Sequence, residues 1–271
     1  MKLQNKLLEY RKSGKAILAT NFYNLETLQG ILRAVKEVQS PIILQLSKSS
    51  VEYIGLEMAV DMARRGIKDY KVEGWLHLDH GDSPVLTKRC LEAGFDSVMI
   101  DASEKSFDEN VRITSEVVGQ AKEYGAHVEA ELGFVAKLGQ SQTNNVFTQP
   151  EDAKRFVELT GVNSLAIAIG SAHGFYKEAP HLQIELLEKI HQATTSSLVL
   201  HGSSGIPSEM LLDAVLHGIS KINLATEIKD AFMKTLKIHL GTTSEIDLRK
   251  VFPVATNSVT ELVKAKLLLL K

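Results

Sequence analysis

Short apolar runs alternate with longer segments of helical period along the whole chain. Runs rich in β-branched and aliphatic residues, without polar alternation, are typical of strands in a parallel sheet that is covered on its outer face. Eight strands are predicted, at residues 16–20, 41–45, 75–78, 97–100, 127–131, 164–169, 197–200 and 220–224. Amphipathic helical segments follow most of them, for example residues 26–38, 51–65, 84–93 and 107–124. The alternation predicts an α/β fold.

The closure of these strands into a barrel is the favoured architecture. Eight β/α alternations without a Pro/Gly/Ser-rich linker or a charge run predict a single-domain (β/α)₈ TIM barrel over residues 1–271. An open, doubly wound sheet is the alternative. It is disfavoured because no Gly-x-Gly-x-x-Gly follows an early strand and no Gly-x-x-x-x-Gly-Lys-Ser/Thr is present.

The charge balance excludes some classes of partner. With 31 Lys and Arg against 33 Asp and Glu, the net charge of −2 favours neither nucleic acid nor an anionic membrane. The first residues are amphipathic rather than uninterruptedly apolar, so a cytoplasmic location is expected. Cys90 is the only cysteine, which excludes an intramolecular disulfide and fits a reducing compartment. We expect this thiol to pack in a helix rather than to react.

Titratable side chains concentrate at the carboxyl ends of the predicted strands, where TIM barrels place their active sites. They are Asp79 and His80 after the third strand, Asp101 after the fourth, Glu129 and Glu131 at the end of the fifth, His173 after the sixth and His201 after the seventh. A glycine directly follows each of His80, His173 and His201, and glycine permits close approach of the backbone to a ligand. Three imidazoles from separate strands predict a catalytic Zn²⁺ rather than Mg²⁺ or Ca²⁺.

The six other histidines are expected to have structural or surface positions. His77 and His127 lie inside predicted strands, where a hydrogen-bonded core histidine is the favoured interpretation. The remaining four, His181, His191, His217 and His239, lie in helical or exposed contexts. None of the six is assigned to the site.

Glycines and hydroxyl side chains follow the last strands. Residues 202–205 and 223–226 offer backbone N–H groups and polar side chains where barrels commonly hold phosphate, and Gly174 completes that rim. Ordinary turn and helix-cap chemistry remains the alternative for Ser203, Ser204 and Thr226.

In chain order, these motifs resemble the class II ketose-bisphosphate aldolases, closest to the tagatose-bisphosphate aldolase branch. The matching stretches are Ala-Thr-Asn-Phe at 19–22 with Asn24 and Glu26, Leu-His-Leu-Asp-His at 76–80, Ser-Val-Met-Ile-Asp at 97–101, Val-Glu-Ala-Glu-Leu-Gly at 128–133, Ala-Ile-Gly-Ser-Ala-His-Gly at 168–174, Leu-His-Gly-Ser-Ser at 200–204 and Lys-Ile-Asn-Leu-Ala-Thr-Glu at 221–227. They span nearly the whole chain, and together they are highly specific.

The resemblance implies a role for each matching residue. His80, His173 and His201 bind the catalytic Zn²⁺, Asp101 and Glu131 form an alternative metal position, and Asp79 is the acid/base. The residues implied to bind substrate, chiefly the phosphate of dihydroxyacetone phosphate, are Gly174, Gly202, Ser203, Ser204, Asn223, Leu224, Ala225 and Thr226, with Asn21, Gln45 and Ser47 lining the pocket. The family also implies Na⁺ or K⁺ near that phosphate, and a homodimer or homotetramer.

The implied reaction is reversible cleavage of a phosphorylated ketose, such as tagatose or fructose 1,6-bisphosphate, to dihydroxyacetone phosphate and an aldehyde through a zinc-stabilised enediolate. Asp79 transfers the proton of the hydroxyl that becomes the aldehyde. Its alternative role is to orient a metal-binding histidine.

Two departures from the family pattern bear on activity. We interpret residues 133–148 as a mobile loop on the active face. Relatives carry acidic residues in the loop after Glu-Leu-Gly, whereas residues 134–149 contain no Asp or Glu. Glu129 or solvent would have to replace that acid, or ordinary activity has been lost. Ala225 stands where the fructose branch has Asp, which favours other ketoses. The open alternatives are an aldolase for a deoxy-ketogluconate phosphate, a metal-dependent hydrolase or isomerase, and a sugar-phosphate-binding protein that keeps the metal site.

Overall fold

The computed structural model describes residues 1–133, 147–176 and 180–271. Eight parallel strands pair in chain order and close into a barrel when the first pairs with the last, as the sequence predicts. They are β1 (Ile17–Asn21), β2 (Ile42–Ser47), β3 (Gly74–Gly81), β4 (Ser97–Ile100), β5 (His127–Leu132), β6 (Ser164–Ile167), β7 (Ser197–Leu200) and β8 (Ile219–Leu224). The TIM-barrel prediction is confirmed.

Helices surround the barrel. They are α1 (Leu3–Ser13), α2 (Leu25–Val38), α3 (Lys48–Ile54), α4 (Leu56–Tyr70), α5 (Pro84–Glu92), α6 (Phe107–Tyr124), α7 (Pro150–Thr160), α8 (Ile184–Ala193), α9 (Ser208–Leu216), α10 (Thr226–Leu240) and α11 (Leu248–Leu269). One prediction is wrong here. The helix predicted over residues 51–65 is two helices, because Gly55 has φ 91° and ψ 134° and breaks the helical backbone between α3 and α4.

The barrel interior changes character from its amino end to its carboxyl end. At the amino end, Leu3 and Leu7 of α1 pack with Ile17, Ile43 and Trp75 in an apolar cluster that closes this end of the barrel. Successive side chains of a strand point to opposite faces, so inward positions recur every second residue. The inward positions at the carboxyl ends of the strands are polar.

A continuous apolar core lies between the strands and the surrounding helices. The carboxyl-terminal helix α11 packs on α2 and α10. Gly30 makes this approach possible, because a Cβ there would lie 2.8 Å from the carbonyl oxygen of Thr256. Within the described ranges, no helix combines the length and the apolar character needed to cross a bilayer.

Candidate metal and active site

Three histidines from different parts of the barrel meet at its carboxyl end. His80 lies in β3, His173 in the segment after β6, and His201 directly after β7. One ring nitrogen of each lies within 4.8 Å of the others. The ring centroid of His80 lies 4.9 Å from that of His173 and 4.8 Å from that of His201. The structure therefore brings together the three residues that the sequence predicts as metal ligands.

His80 reaches this cluster from an unusual backbone conformation. Its φ is 48°, in the left-handed region that non-glycine residues rarely adopt. The register of β3 against β4 shifts between Leu78 and Gly81, so the strand is irregular where His80 lies. Gly81 is required there, because a Cβ would lie 2.4 Å from the carbonyl oxygen of Met99. Such local strain is characteristic of functional sites.

A carboxylate contacts His80 at the ring nitrogen that does not face His201. Its Nδ1 lies 2.8 Å from Oδ2 of Asp101, while its Nε2 faces His201. Burial by itself lowers the pKa of His80, but Asp79 and the hydrogen bond to Asp101 raise it to about 9. His80, Asp101 and Glu131 also form a second group of atoms that lie within 4.8 Å of one another. This group coincides with the predicted alternative metal position.

His201 is held from both of its ring nitrogens. Its Nδ1 lies 3.0 Å from Nε2 of His80, and its Nε2 lies 2.9 Å from Oε1 of Glu129. The other oxygen of Glu129 accepts a 2.7 Å hydrogen bond from Nζ of Lys221. Lys221 was not predicted as a functional residue. The signal was available, because a lysine in the middle of a strand that a barrel buries on both faces requires a buried partner.

His173 completes a donor set that fits a metal ion. Burial, with the neighbouring rings of His201 and His80, lowers the pKa of His173 to about 3, so this imidazole is neutral. Three imidazole nitrogens at these separations, with His80 deprotonated as the ion binds, suit a transition-type divalent ion such as Zn²⁺ better than a cation that prefers oxygen ligands.

Asp79 lies beside the histidines, with each carboxylate oxygen facing a side-chain amide. Nδ2 of Asn21 donates to Oδ2 at 3.0 Å, and Nδ2 of Asn223 lies 3.4 Å from Oδ1. Burial raises the pKa of Asp79, but His80, His201 and the Asn21 hydrogen bond together lower it below the ordinary value. The carboxylate is thus ionised and held in a fixed orientation, so that it can accept a proton.

One cavity is lined by Asp79, the three histidines and most of the residues predicted to bind phosphate. Its lining residues are Asn21, Asp79, His80, His173, Gly174, His201, Gly202, Ser203, Ser204, Asn223, Ala225 and Thr226. The hydroxyls also serve the fold. Oγ of Ser203 donates to the carbonyl of Asn223, and Oγ of Ser204 accepts from the N–H of Glu227 at 3.2 Å. The alternative of turn and cap chemistry is therefore present at both serines, at the edge of the same cavity.

A family model described as fructose-bisphosphate aldolase class-II matches residues 1–271. The chain belongs to this family. It is 36% identical to the fructose-bisphosphate aldolase of Giardia intestinalis, over 98% of this chain and 91% of that protein. It is 38% identical to the fructose-bisphosphate aldolase of Staphylococcus epidermidis RP62A, over 98% of this chain and 95% of that protein. The YdjI aldolase from Escherichia coli K12 superposes with a TM-score of 0.89, at 32% identity over 99% of this chain and 96% of that structure.

The chain is therefore a class II aldolase, a carbon–carbon lyase, and the resemblance drawn from its motifs is confirmed at the level of the family. Members of this family are generally metal-dependent, and the two histidine-containing clusters of this aldolase are places where an ion would fit.

Three predicted substrate-binding residues of the aldolase lie away from the lining of this cavity. Gln45 is completely buried in β2. Ser47 caps α3, where its hydroxyl accepts from the N–H of Ser50. Leu224 is buried, and its carbonyl accepts a 2.8 Å hydrogen bond from Thr20. None of these three residues lines the cavity, but the side-chain amide oxygen of Gln45 lies 3.2 Å from Nδ2 of Asn223, which does.

Most of the segment predicted as a mobile loop, residues 134–146, lies outside the described residues. The structure resumes at Phe147 and Thr148. Thr148 ties the end of this segment to the barrel, since its hydroxyl accepts from the N–H of Ala168 at 2.8 Å.

The aldolase has a larger cavity, of about 640 Å³, at the opposite end of the barrel. His127 lies on its wall, and Nε2 of this residue lies 2.9 Å from Oγ of Ser164. Burial lowers the pKa of His127 to about 4, so it is a neutral core histidine. His77 is also fully buried, with Nδ1 2.7 Å from Oγ of Ser97. Both contacts match the structural positions expected for these residues. The amino end of a TIM barrel contributes stability rather than catalysis.

Proposed function

We propose that this aldolase reversibly cleaves a phosphorylated ketose, tagatose or fructose 1,6-bisphosphate or a related ketose phosphate, into dihydroxyacetone phosphate and an aldehyde. The observation that carries this proposal is that three histidines and an ionised carboxylate meet in one cavity, whose rim carries the glycines and hydroxyl residues expected to bind phosphate. Residues 1–271 would act as one catalytic domain, in a homodimer or homotetramer as the family resemblance implies.

His80, His173 and His201 would hold a divalent ion, for which Zn²⁺ is the best candidate because all three ligands are imidazoles. When bound, the ion would polarise the substrate carbonyl and stabilise the enediolate that bond cleavage leaves, as a lysine Schiff base does in other aldolases. Asp101 and Glu131 with His80 would offer an alternative position for it. Na⁺ or K⁺ near the phosphate would complete the set of ions.

Asp79 would perform the proton transfer that accompanies cleavage. Its carboxylate removes the proton from the hydroxyl on the carbon that becomes the aldehyde. The electron pair of that O–H bond forms the new carbonyl, the carbon–carbon bond breaks, and its electrons pass to the carbonyl of the other fragment. In condensation the same steps run in reverse, and Asp79 returns the proton.

A second proton must reach the carbon of the dihydroxyacetone phosphate half after cleavage. Glu129 was one candidate donor for this step. Its side chain is fully buried and both oxygens are engaged, one with Lys221 and one with His201. This arrangement favours solvent as the proton source, since residues 134–149 contain no acid.

The phosphate of the substrate would bind against Gly174, Gly202, Ser204 and Thr226. Thr226 begins α10, and a helix N-terminus attracts an anion, although the N–H of Glu227 there is bound to Oγ of Ser204. The contribution of these contacts is orientation, which brings the reacting bond to Asp79 and to the histidines. Ala225 in this cavity favours a ketose other than fructose 1,6-bisphosphate, and a deoxy-ketogluconate phosphate remains a variant substrate.

A second candidate function is a sugar-phosphate-binding protein that retains the metal site without turnover. The acid-free sequence of residues 134–149 favours it. The two candidate functions can be told apart by product formation, because the binding protein would release no product from any ketose phosphate.

A retro-aldol assay on a panel of ketose 1-phosphates and 1,6-bisphosphates, with Zn²⁺ added, tests the proposal. Release of dihydroxyacetone phosphate from at least one substrate is expected, and condensation of dihydroxyacetone phosphate with the matching aldehyde should regenerate it. Tight binding of a dihydroxyacetone-phosphate enediolate mimic without turnover on any panel member would instead support the binding protein.

A further inference from the structure

Lys221 is a buried cation that the proposed reaction does not use. Its side chain is 1% exposed, and it lies one inward position deeper in the barrel than Asn223 on β8. Removing an ammonium group from water is unfavourable, and a charge partner must offset the lost hydration. Nζ has that partner in Oε2 of Glu129 at 2.7 Å, and it also lies 3.4 Å from Nε2 of His77. Solubility does not explain a lysine at this position, because the side chain does not reach the solvent.

Glu129 connects Lys221 to a proposed metal ligand, because its carboxylate contacts both residues. Its side chain is 0% exposed, and its second oxygen, Oε1, lies 2.9 Å from Nε2 of His201. A carboxylate only accepts hydrogen bonds, so this contact requires a proton on Nε2. The lone pair of a neutral His201 ring is then on Nδ1, which faces Nε2 of His80 at 3.0 Å and so points into the histidine cluster.

A second neighbour of His201 favours the opposite tautomer. Nδ2 of Asn223 lies 3.0 Å from the same Nε2 atom, and an amide nitrogen can only donate. If Asn223 determined the protonation of His201, the proton would be on Nδ1 and the metal would have no lone pair to bind. An ionised acceptor makes the stronger hydrogen bond, so a correctly oriented Glu129 prevails over the amide.

The orientation of Glu129 depends on Lys221. The ammonium group holds Oε2, which leaves Oε1 directed at His201. Without that contact the carboxylate can rotate away from the ring, and Asn223 then determines the tautomer. The same logic applies to Asp101 and His80, whose Nδ1 is bound by a carboxylate while Nε2 faces the cluster. Such carboxylate contacts fix the ring orientation of metal-binding histidines.

We propose that Lys221 is a positioning residue for the metal site, which acts through Glu129 to keep Nδ1 of His201 unprotonated and directed at the ion. This inference rests on the proposed function, in which His201 is a metal ligand.

The test compares Lys221→Met with a matched control, Lys234→Met, whose lysine is 72% exposed on α10. The first readout is the Zn²⁺ dissociation constant, measured by competition with a chromophoric chelator. We expect Lys221→Met to weaken Zn²⁺ binding by about 10- to 100-fold and the control to bind as the unmodified chain does. An unchanged dissociation constant in a folded Lys221→Met protein would overturn the proposal.

The second readout is the tautomer of His201, obtained from the ring ¹⁵N resonances of the histidine-labelled protein and assigned by comparison with His201→Ala. The unmodified, metal-free chain should show a proton on Nε2, and Lys221→Met should shift it to Nδ1. A proton on Nδ1 in the unmodified chain would overturn the proposal even if Lys221→Met fails to fold. A chain that passes both tests yet cleaves no ketose phosphate would refute the proposed function alone.

Discussion

The side-chain amide of Asn21 donates to Oδ2 of Asp79 at 3.0 Å, and this contact joins the end of β1 to the proposed acid/base on β3. Asn223 approaches the other oxygen from β8. The carboxylate is thereby held between two amides while the imidazoles of His80 and His201 lower its pKa. A group that must accept a substrate proton in one defined direction needs this kind of support.

Asp79→Asn should abolish proton transfer while leaving metal binding intact. An amide of the same shape cannot accept the hydroxyl proton, so kcat in the retro-aldol assay should fall by about 10²- to 10⁴-fold. The matched control is Asp82→Asn. Asp82 follows Asp79 closely in the chain, but its carboxylate is half-exposed and forms an ion pair with Lys48. Bound Zn²⁺ per chain should be equal in both variants. A kcat for Asp79→Asn within a few-fold of the control would reject Asp79 as the acid/base.

Metal binding should release a proton. In the metal-free chain the pKa of His80 is raised to about 9, chiefly by Asp79 and Asp101 against the effect of burial, so this ring is protonated at neutral pH. The pKa of His173 is lowered to about 3, so that ring has no proton to lose. Since an ion binds only the neutral ring, apparent affinity should rise about tenfold per pH unit between about pH 6.5 and 8.5, and level off above about pH 9.

Calorimetry in two buffers with different ionisation enthalpies measures this release directly. The binding enthalpy should differ between the buffers at pH 7 and converge above the pKa of His80. An enthalpy that is independent of the buffer at pH 7 would show that His80 is neutral before the ion binds.

Gly202→Ala should destabilise the barrel more than Gly161→Ala. Both glycines have a left-handed backbone, with φ of 66° and 67°, but only Gly202 is confined, since a Cβ there would lie 2.4 Å from the carbonyl oxygen of Ala172. Gly161 ends α7 and would place its Cβ in open space. Urea unfolding should show a loss of about 1 kcal/mol for Gly161→Ala from backbone strain, and about 1–3 kcal/mol more for Gly202→Ala from the clash. Equal losses would mean that the segment with Ala172 moves aside freely.

Cys90 should be unreactive in the folded chain. Its side chain is fully buried in α5, and burial raises the pKa of the thiol to about 12, so no thiolate is available near pH 8. A disulfide reagent should modify no thiol in the native protein and one per chain after denaturation. Rapid modification of the native protein would contradict the packing role expected from the sequence.

The strands, and with them the residues that stand at their carboxyl ends, were predictable because local pattern determines strand limits. The fourth and seventh strands have the predicted limits, since their apolar runs end at residues that enter the active-face loops. The break at Gly55 was missed because the helical period continues through it, and a single glycine does not by itself end a helix.

Other features of the site depend on contacts that sequence order does not reveal. Lys221 and Glu129 lie on β8 and β5, across the barrel from each other, and only closure of the sheet brings them together. The left-handed backbone of His80 lies where the register between β3 and β4 is irregular. The hydrophobic pattern of the sequence does not predict this irregularity. Gln45 and Ser47 were assigned to the pocket by family resemblance; in the structure Gln45 is buried in β2 and the hydroxyl of Ser47 caps α3.

The central claim is that His80, His173 and His201 together hold an ion that the cleavage reaction requires. The most direct measurement is bound Zn²⁺ per chain together with the retro-aldol rate, for the unmodified chain and for His201→Ala after removal and readdition of the ion. We predict that removal abolishes cleavage by the unmodified chain and readdition restores it, while His201→Ala neither retains the ion nor regains activity. Cleavage by His201→Ala at the unmodified rate, or by the stripped chain without added metal, would contradict the account.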